Sequence, residues 1–211
     1  MRLLDLFSGA GGAAMGYHQA GFTEIVGVDI APQKRYPFTF VQADALTYLA
    51  QHGEKFDVIH ASPPCQAYSK ITPMPCRIRH PQLIEPVRNA LHQTRKPYVI
   101  ENVENARGYL REPFLMCGSM VGLPIWRHRY FETNAFPFPL MLACNHSAFP
   151  ILITGTFRRK GWRRREYSGA EKRAAIGIDW MSIAELDEAI PPAYTRWIGT
   201  QLLAALTRGG R

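Results

Sequence analysis

Residues 2–16 read Arg2-Leu3-Leu4-Asp5-Leu6-Phe7-Ser8-Gly9-Ala10-Gly11-Gly12-Ala13-Ala14-Met15-Gly16, and a second apolar run, Ile25-Val26-Gly27-Val28, closes on Asp29. The first apolar residues read as a buried strand. The glycines that follow permit a tight turn and close approach of a ligand to the backbone. A helix to about Ala20 follows, with Gly21 suited to its C-terminal cap. Gly9 and Asp29 lie twenty residues apart, the spacing at which an acid closing a second strand meets a ribose diol. Strand, glycine turn, helix, strand and acid in this order predict an α/β domain that binds a nucleoside cofactor. No Lys-Ser/Thr pair follows the glycines, which disfavours a phosphate-binding P-loop.

Working outward, residues 31–40 read as a Pro-rich loop, and Val41 to Ala45 as a short third strand containing Asp44. That acid suits either the base end of the same nucleoside or a helix cap. Phe56, Val58, Ile59 and Ala61 form another apolar run, and it breaks at Ser62-Pro63-Pro64-Cys65-Gln66. Each proline fixes its own φ and extends its predecessor, so the loop is stiff. It presents one thiol past a strand's carboxyl end, where open α/β sheets bind ligands. Cys65 is therefore a candidate nucleophile, or else a free cysteine in a turn. Leu83, Ile84, Val87 and Leu91 fall at helical spacing as core positions. Pro97 to Ile100 is a further buried strand that delivers Glu101-Asn102 to the same edge as Cys65 and Asp29. Gly118 to Pro124 reads as a loop, residues 127–133 as a half-buried strand, and residues after Pro191-Pro192 as a helix with an apolar face.

The chain has 211 residues, 46% hydrophobic and 20% charged, with a formal net charge of +8. No apolar run reaches the roughly 18 residues of a membrane span, and the first residues are too short and too acidic for a signal peptide. A cytoplasmic protein is expected. Residues 157–165 hold six cations among two aromatics, the pattern in which cations meet phosphates and rings meet bases. Cys65, Cys76, Cys117 and Cys144 read as thiols rather than disulfides. Cys144-Asn145-His146 could join Cys117 or Cys76 at a metal, but no paired C-x-x-C supports this, and no metal is assigned.

Taken together, the motifs resemble the DNA (cytosine-5) methyltransferases, in a short form with a reduced target-recognition region. Asp5 to Gly12, Gly27 to Ile30 with Asp44, Ser62 to Gln66, Glu101-Asn102-Val103, Arg127-His128-Arg129 and Ile190 to Gly199 are similar to that family's motifs and follow its order. Departures occur at Ile125, where the family usually has Gln, at Gly199-Thr200-Gln201, and at Ile30, where a Trp often stands. The resemblance implies a Rossmann-like S-adenosylmethionine-dependent methyltransferase fold: a mostly parallel sheet with helices on both faces, plus a small basic recognition insertion. Residues 1–133 and 186–211 would form the catalytic domain and 134–185 the insertion. Cys65, Glu101 and Arg127 would be catalytic. Phe7, Ser8, Gly9, Gly11, Asp29, Ile30, Asp44, Pro63 and Thr200 would hold S-adenosylmethionine. Gln66, Ser69, Arg129, Arg158, Arg159, Lys160, Arg163, Arg164 and Arg165 would meet double-stranded DNA. A monomer is expected, with room for a partner nuclease in a restriction-modification setting. The competing readings are the same chemistry on RNA, single-stranded DNA or a modified base, a non-catalytic DNA-binding relative, and a nicotinamide-dependent oxidoreductase.

Overall fold

The computed structural model describes residues 1–68, 80–137, 143–148, 150–153 and 165–209. Strands β1 (Arg2–Leu6), β2 (Glu24–Asp29), β3 (Thr39–Gln42), β4 (Val58–Ala61), β5 (Tyr98–Val103), β6 (Phe114–Met116) and β7 (Arg129–Thr133) form one sheet in the order 3-2-1-4-5-7-6. The first five are mutually parallel, and β7 runs antiparallel to both β5 and β6. Described helices are α1 (Gly12–Ala20), α2 (Ala45–His52), α3 (Ile84–Thr94), α4 (Gly169–Ile176), α5 (Ile183–Glu188) and α6 (Pro192–Gly209).

Alternation along the strands explains why helices cover both faces. Leu4, Leu6, Ile59 and Ile100 pack with Leu49 of α2 and with Ile84, Val87 and Leu91 of α3. Leu3, Val58, Val99 and Phe131 face the other way, onto Tyr17 of α1 and Tyr194, Ile198 and Leu202 of α6. Successive side chains of a strand point to opposite faces, so two apolar residues in a row are each buried under a different layer. Helices α1 and α6 approach closely because Gly16 and Gly199 lack side chains. A Cβ on Gly16 would lie 2.0 Å from Thr195 Oγ1, and one on Gly199 would lie 2.7 Å from Ala20 Cβ.

Several expectations shift by a residue or two. Strand β3 starts at Thr39, ahead of the expected Val41, and stops before Asp44, which instead caps α2. Strand β5 runs on to Val103, so Glu101 and Asn102 lie inside it rather than beyond its end. Strand β7 begins at Arg129, leaving Arg127 and His128 in the preceding segment. The boundary expected at residue 185 falls inside α5. The described part of 134–185 packs against the glycine turn and the segment before β7: Ile153, Ala175, Ile176, Ile178 and Met181 share a buried cluster with Ala10 and Ile125. Trp180 Nε1–H donates to the Ala10 carbonyl at 2.9 Å.

Candidate active site

Between β1 and β4 the strand order reverses, and a crevice opens at their carboxyl ends. A cavity of about 380 Å³ occupies it, within the range of small-ligand sites. Phe7, Ser8, Gly9, Asp29 and Ile30 line one part, and Pro63, Cys65, Gln66, Glu101 and Arg129 another. The adenosine half and the thiol half of the expected site thus share one space.

The glycine turn is built for contact. Phe7 takes φ 57°, and Gly9 and Gly11 take 48° and 85°, so three positions of one turn are left-handed. A non-glycine residue held there costs roughly 1–3 kcal/mol and marks a site where surrounding structure imposes the conformation. Asp29 closes the turn: its Oδ2 accepts from Gly9 N and its Oδ1 from Ala31 N, both at 3.0 Å. Each oxygen keeps further acceptor capacity for a diol. Ile30 is 70% exposed, an apolar side chain in the cavity wall with nothing of the described protein covering most of it. Gly11 caps α1 at the turn and does not itself line the cavity.

Two expected cofactor residues stand elsewhere. Asp44 Oδ1 accepts from Thr47 N and Thr47 Oγ1, both at 2.8 Å, and these bonds lower its pKa. That is the helix-cap reading of this acid. Thr200 is exposed on α6 with its hydroxyl donating to the Arg196 carbonyl at 3.0 Å. The helix that carries it lies over one face of the sheet, packed on α1, and not at the strand ends.

The thiol loop is pinned at both ends. Ser62 N donates to the Leu6 carbonyl at 3.1 Å, and Tyr68 N to the Cys65 carbonyl at 2.9 Å. Asn102 Nδ2 donates to the Pro63 carbonyl at 2.8 Å, tying β5 to the loop. Cys65 is half-buried. Burial pushes its thiol up, Arg129 pulls it down, and Glu101 pushes it up again, with a net rise.

Glu101 is buried, and desolvation raises its carboxyl above the ordinary range against the pull of Arg129, Arg127 and a Ser62 hydrogen bond. Arg129 Nε lies 2.9 Å from Glu101 Oε1, yet that oxygen lacks an aligned hydrogen bond. Behind Glu101 runs a buried chain. Ser62 Oγ meets His60 Nε2 at 2.8 Å, and His60 Nδ1 meets Tyr17 OH at 2.9 Å. Burial drives the His60 pKa down to about 3, so the imidazole is neutral. If Ser62 donates to Glu101, then His60 Nε2–H donates to Ser62, and Nδ1 accepts from Tyr17.

The structure does not bring Arg127 to the cavity. It is buried, with Nη2 donating to the Asp187 carbonyl at 2.6 Å and its own carbonyl accepting from Tyr194 OH at 2.5 Å. Desolvation and the nearby Arg129 charge lower its pKa to about 9. Arg129 stands in the wall where Arg127 was expected. Of the other nucleic-acid positions, Gln66 lines the cavity with Oε1 unpartnered. Arg165 pairs with Glu171 at 2.5 Å and lies over the Tyr167 ring. Ser69, Arg158, Arg159, Lys160, Arg163 and Arg164 fall outside the described residues.

Sequence reading missed the acidic wall contributed by α5: Glu185, Asp187 and Glu188 join Asp5, Asp29 and Glu101 around the cavity, with Arg129 the only Lys or Arg among its described lining residues. Asp5 Oδ1 is buried without a partner there. Arg35 pairs with Glu185 at 3.2 Å, Arg129 with Glu101 at 2.9 Å, and burial pushes the Asp5 and Glu101 carboxyls up. Asp29, Asp187 and Glu188 remain as carboxylates that fit a ligand carrying positive charge and donors, as S-adenosylmethionine does through its sulfonium and ammonium groups.

Sheet order and switch-point crevice define a Rossmann-like fold of the methyltransferase class. The family model described as C-5 cytosine-specific DNA methylase matches residues 1–115, and the chain belongs to that family. It is similar to the type II methyltransferase M1.HphI of Haemophilus parahaemolyticus, 35% identical over 79 residues, 31% of this chain and 21% of that protein. It is also similar to the type II methyltransferase M.FnuDI of Fusobacterium nucleatum, 36% identical over 76 residues, 33% of this chain and 22% of that protein. The matched stretches thus span about a fifth of these relatives' length. Among solved structures, the Entamoeba histolytica methyltransferase EhMeth superposes with a TM-score of 0.51 at 18% identity, over 71% of this chain and 57% of that one. That likeness concerns the fold. Among the described residues, no helix is long and apolar enough to cross a membrane.

Proposed function

We propose that this chain transfers a methyl group from S-adenosylmethionine to carbon 5 of a cytosine flipped out of double-stranded DNA, through a transient bond from Cys65 to carbon 6. The observation that carries this reading is the single cavity in which the Asp29–Phe7–Ile30 end meets Cys65, Glu101 and Arg129. When bound, S-adenosylmethionine supplies an electrophilic methyl group. Phe7 and Ile30 would flank its adenine, Asp29 its ribose hydroxyls, and the acidic wall its cationic end.

Cys65, its thiol proton passed to solvent, attacks carbon 6 as the thiolate, and the electrons of the carbon 5–carbon 6 double bond are drawn into the ring toward nitrogen 3. Burial raises the Glu101 carboxyl and so favours the form that can donate a proton there, which is the role we assign to Glu101. Arg129 would hold the base's exocyclic oxygen and offset developing charge; its presence in the cavity wall, which Arg127 does not line, supports that role. Arg127 acts as a positioning residue that ties the arginine segment to Asp187. Carbon 5, now enamine-like, accepts the methyl group. Nitrogen 3 then returns its proton to Glu101, and loss of the carbon 5 proton to solvent re-forms the carbon 5–carbon 6 double bond and expels Cys65 as the thiolate. Flipping the nucleotide costs a few kcal/mol, and cationic contacts from the 157–165 segment would offset that cost in a salt-dependent way. The type II label on the relatives extends the proposal to a nuclease partner that reads the same site.

Transfer of labelled methyl from S-adenosylmethionine tests the reading directly. Duplex DNA is expected to take up label at cytosine carbon 5, and single-stranded DNA and RNA to take up much less. Label confined to RNA would move the substrate class, and no label in any of the three would overturn the reading.

A second expectation concerns the thiol. Because burial raises its pKa, Cys65 without substrate should react slowly with iodoacetamide at neutral pH. Its rate, read by mass spectrometry of the Cys65 peptide, should keep rising beyond the ordinary thiol midpoint of about 8.5. Glu101→Gln removes a nearby negative charge and should lower the midpoint, whereas Arg129→Gln should raise it. A wild-type midpoint well below 8.5 would contradict the geometry.

A further inference from the structure

A second cluster of chemistry-bearing side chains lies outside the cavity, and the mechanism does not use it. Cys117 follows β6, His128 sits between Arg127 and the start of β7, and Cys144 and His146 lie on the described stretch 143–148. Their ligand atoms all lie within 4.8 Å of one another. Cys117 Sγ is 3.3 Å from His146 Nε2, His128 Nε2 is 3.4 Å from His146 Nε2, and Cys144 Sγ is 3.9 Å from His128 Nε2.

These separations can be compared with those a tetrahedral zinc requires. With bonds of about 2.3 Å to sulfur and 2.05 Å to nitrogen, the edges of the tetrahedron are about 3.3 Å between two nitrogens and about 3.6 Å between nitrogen and sulfur. The N–N edge of 3.4 Å and the N–S edges of 3.3 and 3.9 Å lie within about 0.3 Å of those values. The surroundings match as well. His128 Nδ1 lies 3.5 Å from Glu104 Oε2, the carboxylate-behind-histidine arrangement that would hold the Nδ1–H tautomer and turn Nε2 toward a metal in the cluster. Ser119 Oγ donates to Cys117 Sγ at 3.3 Å and accepts from Asn145 N at 3.1 Å. Trp126 stacks on His146, ring centroids 4.4 Å apart, fixing its plane. Two soft sulfurs with two imidazoles suit zinc over magnesium or calcium. Four protein ligands leave no open position, which is the mark of a structural rather than a catalytic site.

We infer that Cys117, His128, Cys144 and His146 bind one zinc ion that clamps the arginine segment, the turn after β6 and the chain beyond β7 into one unit. Through His128 the ion also sets the start of the strand that carries Arg129 to the cavity. The spacing hides this site: the four ligands are 11, 16 and 2 residues apart, and no C-x-x-C pair announces them. Sequence alone offers Cys117 or Cys76 as metal partners of Cys144 and His146, and it places His128 in the arginine motif.

The test uses the full chain purified from zinc-supplemented expression. Elemental analysis, and release of zinc to a chromogenic chelator by a thiol-blocking mercurial, should each report one equivalent per chain. The double variant Cys117→Ser/Cys144→Ser should lose it, and His146→Cys, which keeps a ligand, should retain it. Cys76→Ser should also keep the full equivalent. Cobalt taken up in place of zinc should show the strong visible bands of tetrahedral thiolate coordination. A wild-type chain that holds no zinc as purified and takes up neither zinc nor cobalt overturns the inference. Zinc retained in the double variant, or lost in Cys76→Ser, does the same. None of these readouts depends on methyl transfer.

Discussion

Cys65→Ala is expected to reduce methyl transfer by about 10⁴-fold or more, the scale on which loss of a covalent nucleophile is felt. Affinity for S-adenosylmethionine should change little, because Cys65 belongs to the opposite part of the cavity from Phe7, Gly9, Asp29 and Ile30. The thiol is half-buried in a loop held by backbone bonds and by Asn102 Nδ2, so removing one sulfur should leave the fold in place. Calorimetric titration of cofactor into the variant, beside a methyl-incorporation assay, separates the two effects. A variant that still methylates at a tenth of the native rate would remove the covalent step, and one that no longer binds cofactor would show the two parts of the cavity to be a single structural unit.

Arg88→Met is expected to destabilise the protein by about 3–5 kcal/mol, the cost of leaving one member of a buried ion pair uncompensated. Arg88 of α3 is 1% exposed and Glu132 of β7 is 2% exposed. The pair is bidentate: Arg88 Nε and Nη2 each donate to Glu132 at 2.7 Å. Arg88 also donates to Glu85 and to the Tyr109 carbonyl. Glu132 accepts further bonds from Tyr98 OH and Arg111 N. Without Arg88, a buried carboxylate would keep only those two donors. In a chain of this size the loss corresponds to a fall in Tm of roughly 6–20 °C. The double variant Arg88→Met/Glu132→Leu should recover part of it, since exchanging both charges for apolar groups removes the orphan. Thermal unfolding of the two variants decides the matter, and a fall of under about 2 °C for Arg88→Met would show that water reaches Glu132.

Cys65 and the Arg88–Glu132 pair differ in how far the chain announces them. Cys65 could be read from the chain because a strand, two prolines and a thiol are local facts. Asp29 could be read because the distance from a glycine turn to the end of the next strand is set by the length of one helix. Arg88 and Glu132 could not: they are forty-four residues apart, and a lone arginine inside the helical stripe of α3 gives no sign of its partner. The same holds for the choice between Arg127 and Arg129. Both lie on one side of an extended segment, and only the start of β7 at Arg129 and the packing of α5 decide which guanidinium meets Glu101.

What the sequence determined by itself was the order of buried strands, the glycine turn, the thiol loop and the acids that close β2 and sit in β5, because each depends on the few residues around it. Strand, glycine turn, helix and strand in that order also sufficed to imply an α/β domain, while the mostly parallel sheet followed from the resemblance. The tertiary structure alone decided what converges: the acidic wall from α5, the removal of Asp44 and Thr200 from the cavity wall, and the meeting of Cys117, His128, Cys144 and His146. The reason is physical. Convergence depends on register and on how helices seat across a sheet, and those are settled by the packing of the whole core rather than by any one stretch of chain.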